Sequence, residues 1–195
     1  MTIIIIDVET SGLPMGRNPH YTEVNKYDSS RIVQLSFMIC NDKFDELALK
    51  DYVIKADGFS IENSQFHWIT NEISQKQGLP LPLVCNELYK YLPECTHIIA
   101  HNANFDINII KSELYRYDLA DIIQELDKKI IICSMKHTMN MVNIRNKYGI
   151  KYPSLSELYK FIFNEPLENA HNSKYDVINL HKIIQKLHDK NLLQV

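Results

Sequence analysis

An unbroken run of four isoleucines, Ile3–Ile6, leads directly into two acidic residues, Asp7 and Glu9. Isoleucine favours β-strands, and an apolar run without alternation is typical of a strand that is buried on both faces in the centre of a sheet. Residues two apart on a strand point to the same side, so the two carboxylates lie side by side. Neighbouring buried anions stay ionised only if a cation compensates them, and a hard divalent metal ion would do so. The plainer alternative, a strand that ends in a polar turn at residues 11–14, stays open until partners for these carboxylates are found.

The composition is that of an ordinary globular protein: 195 residues, of which 45% are hydrophobic and 23% are charged. It predicts a single domain over residues 1–195. The first apolar run is too short for a membrane span and no basic region precedes it, so we predict no signal peptide and no membrane association. The net charge of −3 argues against a protein that coats long stretches of nucleic acid, but not against an enzyme that grips one strand end through metal ions.

The four cysteines form no Cys-x-x-Cys pair and lie within apolar stretches. This pattern predicts buried, reduced thiols rather than disulfides or a zinc site, and we therefore expect an intracellular location. The residues concerned are Cys40, Cys85, Cys95 and Cys133.

The order of the predicted elements gives the fold class. After a surface loop over residues 14–30, strands are predicted at residues 31–40 and 47–54, which continue the first strand as an antiparallel meander. Helical patterns and short strands then alternate. Further strands are predicted at residues 97–100 and 129–133. Helices are predicted after Thr70, at residues 105–117, after Ser134, from the capping box Ser154-Leu155-Ser156-Glu157, and from Asn172 to about residue 190. We predict that Ser134 and Asn172 cap the helices that follow them. This order predicts one α/β domain with a central mixed five-stranded sheet, an antiparallel meander followed by parallel strands, flanked by helices.

A second acidic position follows the strand at residues 97–100. On a helix, Asp106 shares a face with four residues that include three large apolar ones: Ile109, Ile110, Glu113 and Leu114. The spacing predicts that its carboxylate points inward. The alternative is an acidic residue that is placed in the first helical turn because of the helix dipole.

The last helix repeats this arrangement with Asp176, which heads an inward stripe formed by Leu180, Ile183, Ile184 and Leu187. Five residues earlier lies His171, just before the helix cap; taken alone, a histidine there is usually a surface residue. Four carboxylates, each at a strand end or at the head of an apolar stripe, are hard to explain as independent solvated charges. Shared metal binding explains all four together.

Three segments, in order along the chain, resemble the three motifs of the DEDDh 3′→5′ exonucleases, the family that includes the proofreading subunit of bacterial DNA polymerase III. The segments are Asp7-Val8-Glu9-Thr10, then Asn102-Ala103-Asn104-Phe105-Asp106, then His171 with Asp176. The likeness covers nearly the whole chain, since residues 31–35 look like the second strand of the family and residues 153–158 like the segment before its third motif. Each motif alone is weak, whereas all three in order are specific.

The resemblance implies a ribonuclease H-like fold, with Asp7, Glu9, Asp106 and Asp176 as ligands of two Mg²⁺ or Mn²⁺ ions and His171 as the general base. It also implies a set of substrate contacts: Asp7, Glu9, Thr10, Glu62, His67 and Asn102. Trp68 stands where the family often has glycine, and two interpretations of it stay open, stacking on a base and packing in the core. Ser173 and Tyr175 also depart from the small or aliphatic residues that are common in the third motif.

The predicted function is metal-dependent hydrolysis of the 3′-terminal phosphodiester of single-stranded DNA, or of RNA, to nucleoside 5′-monophosphates, in proofreading, repair or trimming. In this hypothesis the two ions activate a water and stabilise the leaving oxygen. His171, with an ordinary pKa of about 6.5, removes the proton of the water. The alternatives are a catalytically inactive nucleic-acid-binding module and an oligoribonuclease-like RNA exonuclease. A DNA polymerase or repair partner and the oligomeric state stay open.

An endonuclease and a calcium-binding structural site are disfavoured. An endonuclease of the same fold would need a continuous basic cleft, and no run of lysine or arginine provides one. The segment from Asp7 to Gly12 lacks the twelve-residue ligand loop of a helix-flanked calcium site.

Overall fold

The computed structural model describes residues 2–193, and its centre is a mixed five-stranded sheet. The strands are β1 (Thr2–Thr10), β2 (Ile32–Cys40), β3 (Glu46–Val53), β4 (Cys95–Ala100) and β5 (Ile130–Cys133). Their order across the sheet is β3-β2-β1-β4-β5. Strands β1, β2 and β3 pair antiparallel, whereas β1, β4 and β5 pair parallel. The predicted meander followed by parallel strands is confirmed.

The isoleucine run occupies the middle of this sheet, as predicted, and all four of its side chains are 0% exposed. Ile4 and Ile6 pack into one core cluster, and Ile3 and Ile5 pack into a second. The two clusters lie on opposite faces because successive side chains of a strand alternate. Each fully buried isoleucine stabilises the fold by about 1.5–3 kcal/mol, which helps to offset the cost of placing carboxylates at the end of the same strand.

Helices cover both faces of the sheet. In the described part of the chain they are α1 (Ser64–His67), α2 (Asn71–Gln77), α3 (Leu81–Tyr89), α4 (Ala103–Arg116), α5 (Ala120–Asp127), α6 (Ser134–Val142), α7 (Leu155–Phe163) and α8 (Ser173–Asp189). Residues of α3, α4 and α5 share the first core cluster with Ile4 and Ile6. Residues of α7 and α8 share the second cluster with Ile3 and Ile5.

Two predicted helix starts are confirmed by their hydrogen bonds. The Thr70 side chain accepts a hydrogen bond from the backbone N–H of Ile73 at the start of α2. Ser154 and Glu157 form the predicted capping box at the start of α7. A two-stranded hairpin that the sequence did not predict, β6 (Arg145–Asn146) with β7 (Gly149–Ile150), precedes α7.

Three of the four cysteines, Cys40, Cys85 and Cys95, are buried as predicted, whereas Cys133 is half-buried. The predicted surface loop at residues 14–30 contains one short 3₁₀ turn, Val24–Tyr27, and the Tyr27 ring is buried. Among residues 2–193, we find no helix with both the length and the apolar character needed to cross a membrane.

Candidate active site

Three carboxylates from two separate elements meet at one end of β1. Asp7 and Glu9 project from the end of the central strand, and Asp176 projects from the first turn of α8. One ligand oxygen from each of the three lies within 4.8 Å of the others, and all three residues are half-buried. Carboxylate oxygens at this separation are the ligands that hard divalent cations prefer.

Asp106, the fourth predicted ligand, lies in the first turn of α4, which follows the parallel neighbour of β1. It is 3% exposed, and its atom Oδ2 is buried without a hydrogen-bond partner. Asp106 is outside the group of three carboxylates within 4.8 Å, but its charge contributes to raising the pKa of Asp7. A buried carboxylate oxygen without a partner is costly, and a bound cation would satisfy it.

The pKa of every one of these carboxyl groups is raised, and the first cause in each case is burial. Burial, followed by the charges of the other three carboxylates, raises the pKa of Asp7 well above its usual value. Burial and the neighbouring charge of Asp176 raise the pKa of Glu9 to about 7. Burial raises the pKa of Asp106 to about 8 and that of Asp176 to about 6. A divalent cation at this place would reverse these shifts and allow all four groups to ionise together.

The structure brings His171 to the same cleft. The residue is exposed, its backbone is in the left-handed region with a φ of 67°, and its N–H donates to Asp176 Oδ2 at 3.2 Å. A cavity of about 350 Å³ is lined by all five predicted catalytic residues, Asp7, Glu9, Asp106, His171 and Asp176. A larger cavity, of about 710 Å³, lies between α4, β5 and α6, and none of the five lines it.

A polar network that the sequence did not predict fixes the start of α8. We predicted that the Asn172 side chain caps this helix, and this is wrong: Asn172 occupies the cap position, but its side chain makes no capping hydrogen bond. Instead, Gln34 Oε1 accepts the N–H of Ser173 at 3.2 Å. Gln34 Nε2 and Ser36 Oγ both donate to Asp51 Oδ1, at 2.8 Å each, and the hydroxyls of Ser36 and Ser173 are 2.7 Å apart. Strands β2 and β3 therefore hold the helix that carries Asp176.

His101 also contributes to the site in a way that the sequence did not reveal. Its Nε2–H donates to the carbonyl of Pro153 at 3.0 Å, and its Nδ1 accepts from the hydroxyl of Ser134 at 2.9 Å. Burial lowers the pKa of His101 to about 4, so the ring is neutral near neutral pH. Ser134 is the first residue of α6 and does not cap it as predicted, because its hydroxyl binds His101. This bridge holds the segment before α7, which forms one wall of the cleft.

The predicted substrate contacts are distributed unevenly around the cleft. Asn102 is exposed, precedes α4 with a φ of 71° and lines the cavity. Glu62 is exposed but is outside the lining of that cavity. Thr10 is 8% exposed, and its hydroxyl donates to the carbonyl of Gly12 at 2.7 Å. Substrate contacts by these residues stay predictions.

His67 is buried beneath this surface, with 1% of the residue exposed. Its Nδ1 accepts the N–H of Ile69 at 3.2 Å, and its Nε2–H donates to Asn63 Oδ1 at 3.3 Å. Burial lowers the pKa of His67, which agrees with a neutral ring that both accepts and donates. Asn63 Nδ2 in turn donates to the carbonyl of Thr10 at 3.0 Å. In this arrangement His67 supports the edge of the cleft through Asn63, and a direct contact to substrate stays a prediction.

Comparison with known proteins identifies the family to which this chain belongs. A family model, RNase T, described as exonuclease, matches residues 4–184. A curated relative, DNA polymerase III PolC-type of Streptococcus pneumoniae, is 25% identical over 175 residues, which cover 90% of this chain and 10% of that protein. The chain thus spans about 10% of the length of this relative.

Solved structures with a similar fold include Escherichia coli exonuclease I in complex with an oligonucleotide, with a TM-score of 0.74, 15% identity, and coverage of 98% of this chain and 42% of that one. Exonuclease I from Methylocaldum szegediense matches with a TM-score of 0.73 and 16% identity, and the match covers 97% of this chain and 40% of that one. Exonuclease X in complex with 5′ overhanging duplex DNA matches with a TM-score of 0.58 and 19% identity, and the match covers 97% of this chain and 93% of that one. The predicted ribonuclease H-like fold class is confirmed. With the family model matched over residues 4–184, this chain belongs to the exonuclease family that its three motifs predicted.

Proposed function

We propose that this chain is a divalent-metal-dependent 3′→5′ exonuclease that hydrolyses the 3′-terminal phosphodiester of single-stranded DNA, or of RNA, and releases nucleoside 5′-monophosphates. One observation carries the proposal: three carboxylates converge within 4.8 Å, beside the buried, unpartnered oxygen of Asp106. A donor set made only of carboxylate oxygens fits two Mg²⁺ or Mn²⁺ ions better than it fits zinc or copper. Asp7, Glu9, Asp106 and Asp176 would hold them.

The residues around the carboxylates have separate tasks. Bound divalent ions supply a water of lowered pKa and stabilise charge on the leaving oxygen. His171, exposed at the cleft, takes the proton from the attacking water as general base. The hydrogen bond from the His171 N–H to Asp176 positions the general base relative to one of the metal ligands. Asn102 presents an exposed amide at the start of α4, where it would donate to the strand end.

The size of the cleft favours cleavage at an end. A cavity of about 350 Å³ suits one terminal nucleotide rather than a continuous duplex, since small-molecule sites begin at roughly 300 Å³. One wall is the segment Ser154–Ser156, which His101 holds in place through Pro153. A strand would therefore enter with its end directed at the carboxylates.

The comparisons support nucleic acid as the partner, because exonuclease I was solved with an oligonucleotide and exonuclease X with 5′ overhanging duplex DNA. The similarity to a PolC-type polymerase supports action beside a DNA polymerase, in proofreading or repair. A stand-alone trimming enzyme is the alternative role.

The decisive experiment uses single-stranded DNA and RNA oligonucleotides labelled at the 5′ or the 3′ end, incubated with the protein and Mn²⁺, with and without chelator. We expect progressive shortening of the 5′-labelled strand and immediate release of a labelled mononucleotide from the 3′-labelled strand, both stopped by the chelator. Asp7→Asn should abolish turnover by removing a metal ligand. Asp121→Asn, which changes an exposed aspartate of α5, should leave the rate unchanged.

Three outcomes would contradict the proposal. Near-wild-type activity of Asp7→Asn would show that the carboxylate cluster is not the catalytic centre. Cleavage at internal positions would indicate an endonuclease. Binding of the oligonucleotide without any turnover in Mg²⁺ or Mn²⁺ would support the alternative of an inactive binding module.

A further inference from the structure

Trp68 is exposed in a backbone conformation that a large side chain rarely adopts. The residue is 74% exposed, so the interpretation that it packs in the core is wrong. It terminates α1 in the left-handed region, with a φ of 62° and a ψ of 9°. Glycine adopts this conformation without steric cost, whereas a bulky residue is strained there. Both solvent exposure and backbone strain disfavour a tryptophan at this position. Backbone strain of this kind is found most often at functional sites.

The neighbours of Trp68 fix the backbone from which its side chain projects. His67 and Ile69, on either side of it, are 1% and 5% exposed. The Ile69 N–H donates to the His67 ring, and the Trp68 N–H donates to the carbonyl of Ser64 at 2.7 Å. Ile69 packs in a small apolar cluster with Val33 of β2. Because both neighbours are fixed inside the protein, the ring between them is held outward on a rigid base.

That base is attached to the strand that carries the carboxylates. His67 donates to Asn63 at 3.3 Å, and Asn63 donates to the carbonyl of Thr10 at 3.0 Å. Thr10 directly follows Glu9 at the end of β1. Two hydrogen bonds therefore connect the residue before Trp68 to the residue after a predicted metal ligand.

We propose that the Trp68 ring is a stacking site for an unpaired base of the substrate strand, upstream of the terminal nucleotide at the carboxylates. This inference rests on the proposed exonuclease function and adds to it a binding site outside the catalytic cleft. Aromatic side chains bind single strands by stacking, which tolerates any base because every base has a π face. A ring that is already held outward loses little conformational freedom on binding. The site would grip strands of any sequence and would discriminate against strands whose bases are paired.

The test uses the fact that Trp68 is the single tryptophan in the sequence, so fluorescence that is excited selectively at tryptophan rather than at the tyrosines reports on this position alone. The probe is a single-stranded oligodeoxynucleotide with phosphorothioate linkages at its 3′ end to prevent cleavage, in Mg²⁺. We expect it to quench the fluorescence of the wild-type protein. Trp68→Ala should raise the Kd, measured by anisotropy of a label at the 5′ end, about 5- to 150-fold, and Trp68→Phe should restore most of the affinity.

Controls separate stacking from a general loss of structure. Tyr115→Ala removes an exposed ring from the far end of α4 and should leave the Kd unchanged, and Trp68→Ala should unfold within a few degrees of the wild type. An abasic nucleotide at one position near the 3′ end should abolish the difference between the wild type and Trp68→Ala.

The proposal is overturned if anisotropy shows that the oligonucleotide binds, while the tryptophan fluorescence of the wild-type protein does not change and Trp68→Ala has the wild-type Kd; the exonuclease function would still stand. If the wild-type protein binds no oligonucleotide, both proposals fail. Shortening of labelled strands by Trp68→Ala at saturating concentration with the wild-type rate would support a role in binding alone.

Discussion

The side chain of Gln34 accepts the backbone N–H of Ser173 at 3.2 Å, so a residue of strand β2 caps helix α8. Gln34 also lies opposite Glu9 in the pairing of β1 with β2. One residue thus contacts the helix that carries Asp176 and neighbours the strand that carries the other ligands. This contact is one of those that hold the two halves of the carboxylate cluster beside each other.

Gln34→Leu should loosen the site without removing a ligand. The substitution leaves the Ser173 N–H without its hydrogen-bond partner, and it removes one of the two donors to Asp51 Oδ1, since Ser36 still donates to that oxygen. We expect a loss of about 1–3 kcal/mol in the free energy of unfolding for a buried group left without a partner, measured by urea denaturation. The rise in melting temperature on adding Mn²⁺ should also shrink. The same change at the exposed Gln124 of α5 should affect neither quantity, and equal effects of the two substitutions would refute the positioning role.

The carboxylates could be predicted from the sequence because each is tied to a strong local pattern. Asp7 and Glu9 follow a run of isoleucines that only a central strand accommodates, and the 3.6-residue period places Asp106 and Asp176 at the head of buried stripes. Burial of a stripe forces its first member inward. Pattern and burial therefore predicted that each of these four carboxylates faces inward, and the three motifs in order predicted that they belong to one site.

The supporting residues could not be predicted in this way. Gln34 and His101 form hydrogen bonds with backbone atoms of residues that lie 139 and 52 positions away in the sequence. The spacing of apolar and polar residues within one helix or strand cannot reveal such a contact. Asparagine is a common helix-capping residue, but in the folded protein it is Gln34, and not Asn172, whose side chain accepts the N–H of Ser173 at the start of α8. Sequence spacing predicts the face on which a side chain lies, whereas the partner it meets there depends on how elements distant in the chain pack together.

Glu113→Ala should be strongly destabilising because it leaves a buried cation alone. Arg31 Nε donates to Glu113 Oε1 at 2.6 Å, and the two side chains are 8% and 2% exposed. Removing one member of a buried ion pair costs about 3–5 kcal/mol. Urea denaturation at neutral pH should show this loss, and the double substitution Arg31→Met with Glu113→Leu should recover part of it.

The exposed pair Lys90 and Glu87 provides the matched comparison, since surface ion pairs contribute little. Glu87→Ala should leave the urea midpoint nearly unchanged. If Glu113→Ala were equally mild, the buried pair would not be what ties the start of β2 to α4.

His171→Ala should separate proton transfer from metal binding. The contact between this residue and Asp176 is made by the backbone N–H, so the substitution retains it, and the predicted ligands are unchanged. We expect kcat to fall on the order of 10²-fold or more, as for the loss of a general base, while the Mn²⁺ concentration that gives half-maximal activity stays within about threefold. A parallel loss of Mn²⁺ affinity would instead make His171 a ligand.

The raised carboxyl pKa values predict that divalent ions stabilise the fold more as the pH rises. An unfolded chain releases these protons near pH 4, whereas burial raises the pKa of Asp176 to about 6, of Glu9 to about 7 and of Asp106 to about 8. Between these limits the folded state binds more protons than the unfolded state, so the metal-free protein loses stability as the pH rises from about 4 to about 8.

Melting temperatures at pH 5.5 and pH 8, in chelator and in Mn²⁺, should reveal this linkage. In chelator the protein should melt lower at pH 8 than at pH 5.5, and Mn²⁺ should raise the melting temperature far more at pH 8, because a cation binds only the ionised cluster. Asp7→Asn removes one of the mutually repelling charges, so its metal-free melting temperature should depend less on pH and respond less to Mn²⁺. A metal-free wild type that became more stable between pH 5.5 and pH 8 would contradict the crowding of ionisable carboxyl groups on which the proposed metal site depends.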